Sequence, residues 1–264
     1  MTQRLLPITS GWNFRELGGY PTKTGETTKY HKILRSGGLE KLNKTDQQYL
    51  IDYGLNIDMD FRSTEEREDY PDVVPEGVRY IFNPVLAEDE TQNSKTAAQL
   101  KEQMRQDPQN GYAHMLQVYR DIVHQTHAQD AYKRFFDALL TNEQDGQTLL
   151  FHCAAGKDRT GMGAYFFLSA LDVPEDVILE DYLLTNTVTK ERLADMVKAV
   201  RADGGNETMV KNIQSLYSVS ADYLAAARHA IDNMSGSTPN YLKEVLSLSD
   251  DDLADLKRIY TEKK

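Results

Sequence analysis

One segment constrains this chain more than any other. Strand-forming residues Thr148-Leu149-Leu150-Phe151 run without a break into His152-Cys153-Ala154-Ala155-Gly156-Lys157-Asp158-Arg159-Thr160-Gly161, and a helical pattern follows. With the strand ending at His152 and a helix opening near Thr160, the loop between them lies at a helix N-terminus. Unpaired backbone N–H groups and the positive end of the helix dipole favour an anion there. The small residues Ala154, Ala155 and Gly156 let the backbone curl until successive N–H groups point inward as a nest. Cys153 stands at the mouth of that nest, where the same field favours the thiolate. Arg159, six positions further on, closes the loop with a planar fork that holds two phosphoryl oxygens at once.

These residue types in this order point to one chemistry. The Cys153 thiolate attacks phosphorus, a thiophosphate forms, and water hydrolyses it. The leaving oxygen needs a proton and the attacking water needs a base; one carboxylic acid beside the loop can serve both steps. Thr160 can donate its hydroxyl to the sulfur as it departs in the second step. Cys153 is the one cysteine among 264 residues, which excludes an intrachain disulfide and a multi-cysteine metal site. A lone cysteine is, taken alone, an ordinary small buried hydrophobe. Its neighbours outweigh that reading here.

Composition narrows the partners. A net charge of −11 argues against nucleic acid or an anionic membrane surface, so the attraction for an anionic substrate is local, built from dipoles and one or two cations. The longest apolar stretch, Ala164 to Leu168, is far too short to span a bilayer, and stable membrane insertion is not expected. The opening residues MTQRLLPITSGWNF contain no apolar signal core. The expected address is therefore the cytoplasm, although export without a conventional signal is compatible with the same sequence. No pattern specifies an oligomeric state.

No repeat or linker divides the chain, so one domain over residues 1–264 is expected. Strands are predicted at Lys32-Ile33-Leu34-Arg35, over Asn56 to Phe61, which alternates with period two, and over Val78 to Phe82. Thr45, with Gln48 three positions on, reads as the cap of a short helix that stops at Gly54. Met115, Val118, Tyr119 and Ile122 recur at helical spacing, as do Tyr132, Phe135, Phe136 and Leu139. Further helices are predicted over Met162–Leu171, Glu175–Leu184, Lys190–Val200, Met209–Tyr217, Asp222–Met234 and Asp250–Tyr260, the last capped by Ser249. Between Ala87 and Asn110 the chain is acidic, then polar, and reads as an excursion. Strands early and helices around them make the fold class α/β.

The loop resembles the signature of the protein tyrosine phosphatase superfamily, and HCxxGKDRTG resembles its bacterial branch with tyrosine and phosphoinositide ("triple-specificity") activity. Trp12-Asn13-Phe14-Arg15-Glu16, Arg35-Ser36-Gly37-Gly38-Leu39, Asp60-Phe61-Arg62-Ser63 with Glu65 or Glu66, and Asp222-Tyr223-Leu224-Ala225-Ala226-Ala227-Arg228 resemble further segments of that branch. The likeness implies a central sheet flanked by helices, with the loop at its C-terminal edge. It also implies catalytic roles for Cys153, Asp158 and Arg159, and substrate binding by Ala154, Ala155, Gly156, Lys157 and Thr160, with no metal or other cofactor. The implied substrates are phosphotyrosine protein, with phosphoserine or phosphothreonine and phosphoinositides beside it. A phosphatase of sugar, nucleotide or inositol phosphates is the competing enzyme. A phosphate-binding module without turnover is the competing class, weakened because Cys153 and Arg159 are both present. Arsenate reduction would need resolving thiols that the chain lacks.

One departure stands out. Most tyrosine phosphatases carry the general acid on a separate mobile loop; here Pro84 is present, but Val85 stands where relatives often have Asp, and valine cannot donate a proton. Asp158 is the favoured acid because the loop fixes its position, with Glu88 or Asp89 as the alternative. A salt bridge from Asp158 to Arg159 or Lys157 is compatible with that role. Lys157 suggests added attraction for a multiply charged head group; neutralisation of the loop is the plain alternative. His124 and His127, spaced i, i+3 on a predicted helix, read as a solvated face rather than metal ligands. His152 is expected to hydrogen-bond the loop backbone, Asp60 and Arg62 to pair beside it, and Asn13 and Arg15 to brace it from behind. By analogy, the helices from Thr187 to Val219 would form a lid.

Overall fold

The computed structural model describes residues 4–87 and 104–263. Among them, seven strands are numbered in chain order: β1 (Arg15–Glu16), β2 (Glu26–Thr28), β3 (Ile33–Ser36), β4 (Leu55–Asp60), β5 (Arg79–Phe82), β6 (Thr148–His152) and β7 (Thr261–Lys263). β6 is buried along its whole length. Leu149 and Phe151 join the larger apolar cluster, Leu150 the smaller one on the opposite face. Two covered faces are what a parallel strand requires. β3 and β4 flank β6 in parallel, β5 pairs parallel with β4, and β1 is antiparallel to β3, giving the order β1-β3-β6-β4-β5. β2 and β7 form a separate antiparallel pair.

Register places the functional edge. Ser36 of β3 and Asp60 of β4 both stand opposite His152 of β6, so three strands end level and the loop emerges from the middle one. Ligands bind at such C-terminal edges in open α/β sheets.

The helices are α1 (Lys44–Tyr53), α2 (Thr64–Asp69), α3 (Asn110–His124), α4 (Thr126–Thr141), α5 (Arg159–Ala170), α6 (Glu175–Val188), α7 (Lys190–Ala202), α8 (Glu207–Tyr217), α9 (Ala221–Ser235), α10 (Thr238–Glu244) and α11 (Asp250–Tyr260). α5 is buried at every position from Arg159 to Leu168. It lies so close to the sheet that a Cβ on Gly163 would sit 3.0 Å from Phe61 and 3.2 Å from Phe151. The apolar stripes of α3 and α4 pack into the same layer through Met115, Val118, Ile122, Phe135, Phe136 and Leu139.

Several local expectations need correction. Asn43, not Thr45, caps α1, because its side chain accepts from the Asp46 N–H; the Asp46 carboxylate turns away to accept from Thr9 and Ser10. Gly54 ends the helix at φ 102°, as the sequence suggests. Asp58 and Asp60 of β4 are fully buried. His124 and His127 do not share a helix, since Gln125 turns extended between α3 and α4. Helices α2 and α10, short and polar, were not predicted.

Candidate active site

The loop is shaped from behind. Gly38 N–H donates to the Ala154 carbonyl at 3.2 Å, Asn13 Nδ2 to the carbonyls of Ala155 at 3.1 Å and Gly156 at 2.8 Å, and Arg35 Nη2 to Gly156 at 3.0 Å. A trans peptide holds its N–H opposite its carbonyl. Three carbonyls drawn outward in succession therefore turn the N–H groups of Ala155, Gly156 and Lys157 inward, which makes the anion nest. Gly156 is required: it adopts φ 63°, and a Cβ there would collide with the Ser36 carbonyl. Cys153 is 2% exposed at the mouth of the turn.

Arg15 and Arg35 are themselves held by Asp181 of α6, at 3.0 Å and 2.7 Å, and all three are buried. Burial works against the Asp181 carboxylate, yet the two guanidinium groups hold it down at about 2. Burial and the neighbouring Arg15 push Arg35 down to about 10. Arg15 also donates to Asn13 Oδ1, fixing the amide that clamps the loop.

On the β4 side, His152 Nε2 lies 3.3 Å from Asp58, 3.2 Å from Asp72 and 3.8 Å from Asp60. Burial opposes its charge, but the three carboxylates raise its proton affinity well above the ordinary value. Two carboxylates and an imidazole are a donor set that could hold a divalent cation, and Asp58, Asp72 and His152 are close enough to do so. His152 is fully buried there. Its Nδ1 lies 3.4 Å from the Cys153 carbonyl, the backbone contact expected of it. Arg62 binds Asp60 through Nε and Nη2, each at 2.9 Å, and reaches Asp72 and the Tyr70 carbonyl. The Asp60–Arg62 pair is thus beside the loop as predicted.

Arg159, the first residue of α5, places both terminal nitrogens on Glu66, at 2.5 Å and 2.8 Å. Glu66 occupies the third position of α2 and closes a capping box with Ser63, so a helix start aims the fork. Asp158 is fully buried; Tyr119 donates to its Oδ1 at 2.9 Å, Tyr182 donates to Tyr119 at 2.7 Å, and Lys157 Nζ is 3.3 Å from its Oδ2. The two tyrosines were missed, because on helices α3 and α6 they read as ordinary core aromatics. Lys157 also donates to the carbonyls of Leu216 and, at 3.1 Å, Ser218. An ammonium has three donors, and these three contacts use them; the buried side chain ties the loop to the C-terminal end of α8. Thr160 Oγ1 is buried without a hydrogen-bond partner among the described residues. Val85 is fully buried, and Glu88 and Asp89 lie outside the described residues.

A nest of N–H groups at the edge of a parallel sheet, with a cysteine at its mouth and an arginine at its close, defines the class of cysteine-dependent phosphomonoesterases. A profile of the tyrosine phosphatase family matches residues 6–262, and the chain belongs to that family. It is 32% identical over 250 residues to a Cupriavidus necator protein assigned by name to the tyrosine-protein phosphatases, covering 94% of this chain and 85% of the relative. It is 30% identical over 271 residues to the triple specificity protein phosphatase PtpB of Mycobacterium tuberculosis, covering 92% and 94%. A tyrosine-protein phosphatase of Nostoc commune is 27% identical over 154 residues, 58% of this chain and 48% of that one. No described helix is long and apolar enough to cross a membrane.

Proposed function

We propose that this enzyme hydrolyses phosphotyrosine in proteins through a cysteinyl phosphate on Cys153. The inward-facing nest with Cys153 at its mouth carries the reading. The phosphate enters the nest, the sulfur attacks in line, and Arg159, aimed by Glu66, gathers charge on the equatorial oxygens. Asp158, gripped by Tyr119 and Lys157, gives the leaving phenoxide its proton and then takes one from water. The unpartnered hydroxyl of Thr160 is available to the sulfur as the thiophosphate breaks. A nucleophile only 2% exposed favours the long phenyl phosphate over the shorter phosphoserine. Breadth toward other phosphates is supported by the likeness to a triple specificity phosphatase; the engagement of all three Lys157 donors favours phosphotyrosine first. Residues 187–219 act as a cover: Lys157 holds the end of α8, and Asn186 exchanges two hydrogen bonds of 2.8 Å with Val219.

The test is hydrolysis of phosphotyrosine and phosphoserine peptides and phosphoinositides by wild type, Cys153→Ser and Asp158→Asn. Loss of at least about 10⁴-fold is expected for Cys153→Ser, and about 10²- to 10⁴-fold for Asp158→Asn. Turnover that survives Cys153→Ser would end the covalent mechanism.

A further inference from the structure

Arg192, in the first turn of α7, is half-buried, and its Nη1 is enclosed with no hydrogen-bond partner among the described residues. Its guanidinium lies 4.1 Å from the centre of the Trp12 ring, and the Lys41 ammonium lies 5.0 Å from the same ring. Trp12 is fixed against the catalytic loop. Its carbonyl accepts from Gly37 N–H at 3.0 Å, its indole edge abuts Gly37, and Gly38 donates to Ala154. Burial weakens the hold of Arg192 on its proton, while Tyr217, Glu40 and Cys153 act in the opposite sense. The cation is therefore within electrostatic reach of the nucleophile. An enclosed, unpartnered donor is rare in native proteins and calls for an occupant.

A groove of about 450 Å³ adjoins this point, lined by Leu6, Ile8, Phe14 and Val188 together with Trp12 and Arg192. Glu191 and Asp195 also line it. The apolar walls suit an uncharged side chain of a peptide better than the further phosphates of an inositol head group. Only the Arg192–Lys41 end offers positive charge.

We propose that Arg192, with Lys41 beside it on Trp12, holds a carboxylate adjacent to the phosphotyrosine of a peptide substrate, and that the groove takes an apolar neighbour. This subsite makes the enzyme selective for acidic phosphotyrosine sequences despite its own negative charge. The inference rests on the phosphotyrosine reading and deepens it.

The experiment compares three phosphotyrosine peptides that differ at one flanking residue, Glu, Gln or Lys, at low ionic strength. Wild type is expected to prefer Glu over Gln by about tenfold in kcat/KM, the size of one charge-assisted hydrogen bond. Arg192→Ala brings that ratio close to one, and Arg192→Glu turns the preference toward the Lys peptide. The inversion is a gain that a merely misfolded variant cannot produce. An unchanged ratio in both variants overturns the subsite. Turnover of no phosphotyrosine peptide by wild type overturns the phosphotyrosine reading as well, whereas turnover blind to the flank overturns the subsite alone. If Arg192→Ala spares the peptide ratio but weakens hydrolysis of an inositol bisphosphate, the second anion is a phosphate and the peptide assignment falls.

Discussion

On the β3 side of the loop, Arg15 and Arg35 share the single carboxylate of Asp181; on the β4 side, His152 and Arg62 face Asp58, Asp60 and Asp72. Both clusters are buried, yet their balances are opposite. The first has two cations to one acid, and its spare donors reach the loop: Arg35 directly and Arg15 through Asn13. The second has three acids to two cations once His152 carries its proton, and the remaining excess falls on Asp58, whose proton affinity burial raises. One cluster shapes the anion nest by donating to its carbonyls. The other anchors the strand end from which the nest departs. Buried charge tolerates loss only where something else can neutralise the remainder.

Asp181→Asn should have the largest effect. It leaves two guanidinium groups buried without a counter-charge, and destabilisation of about 3–5 kcal/mol is expected in urea unfolding. Stability against pH comes next. Asp181 and Asp60 are both held at about 2, below their unfolded values, so their contribution is present above about pH 4 and lost as pH falls toward 2. His152 is raised, so its contribution is present below its ordinary value and lost as pH rises through the folded one. Unfolding across pH should therefore show Asp181→Asn flattening the acid limb alone and His152→Asn flattening the alkaline limb; the reverse pattern would break the comparison. Asn13→Ala removes two clamps on the nest, and a drop of about tenfold in kcat/KM is expected with a smaller change in melting temperature. Asp58→Asn should be the mildest, within about 1 kcal/mol, since burial already disfavours that charge and neither oxygen accepts a well-formed hydrogen bond. Equal losses for Asp58→Asn and Asp181→Asn would erase the distinction.

The nest was legible because it is local: strand, small residues, arginine and helix follow one another from Thr148 to Gly161. The braces at Asn13 and Arg15 and the Asp60–Arg62 pair could be read only through a family resemblance, since nothing in their own segments says what they touch. Asp181 could have been found. It lies at helical spacing from Ile178 and Thr185 on the buried stripe of α6, and an acid on such a stripe implies a buried cation. Tyr119 and Tyr182 gave no such signal, because a tyrosine is at home in a core and its hydroxyl partner is invisible from sequence. Arg192 reads as an ordinary charge on an exposed helix until tertiary packing sets it on Trp12.

The clamps on the loop also set an order of assembly. Asn13 reaches across 142 and 143 positions to its carbonyls, Arg35 across 121, and Glu66 across 93 to Arg159. β6 is made after β3 and β4 but lies between them. Pairings this distant are slow, because the chain closes long loops before any contact rewards it. The anion nest is complete only when β6 is seated between β3 and β4. Recovery of turnover during refolding would report that final insertion, while helix signals would rise well ahead of it.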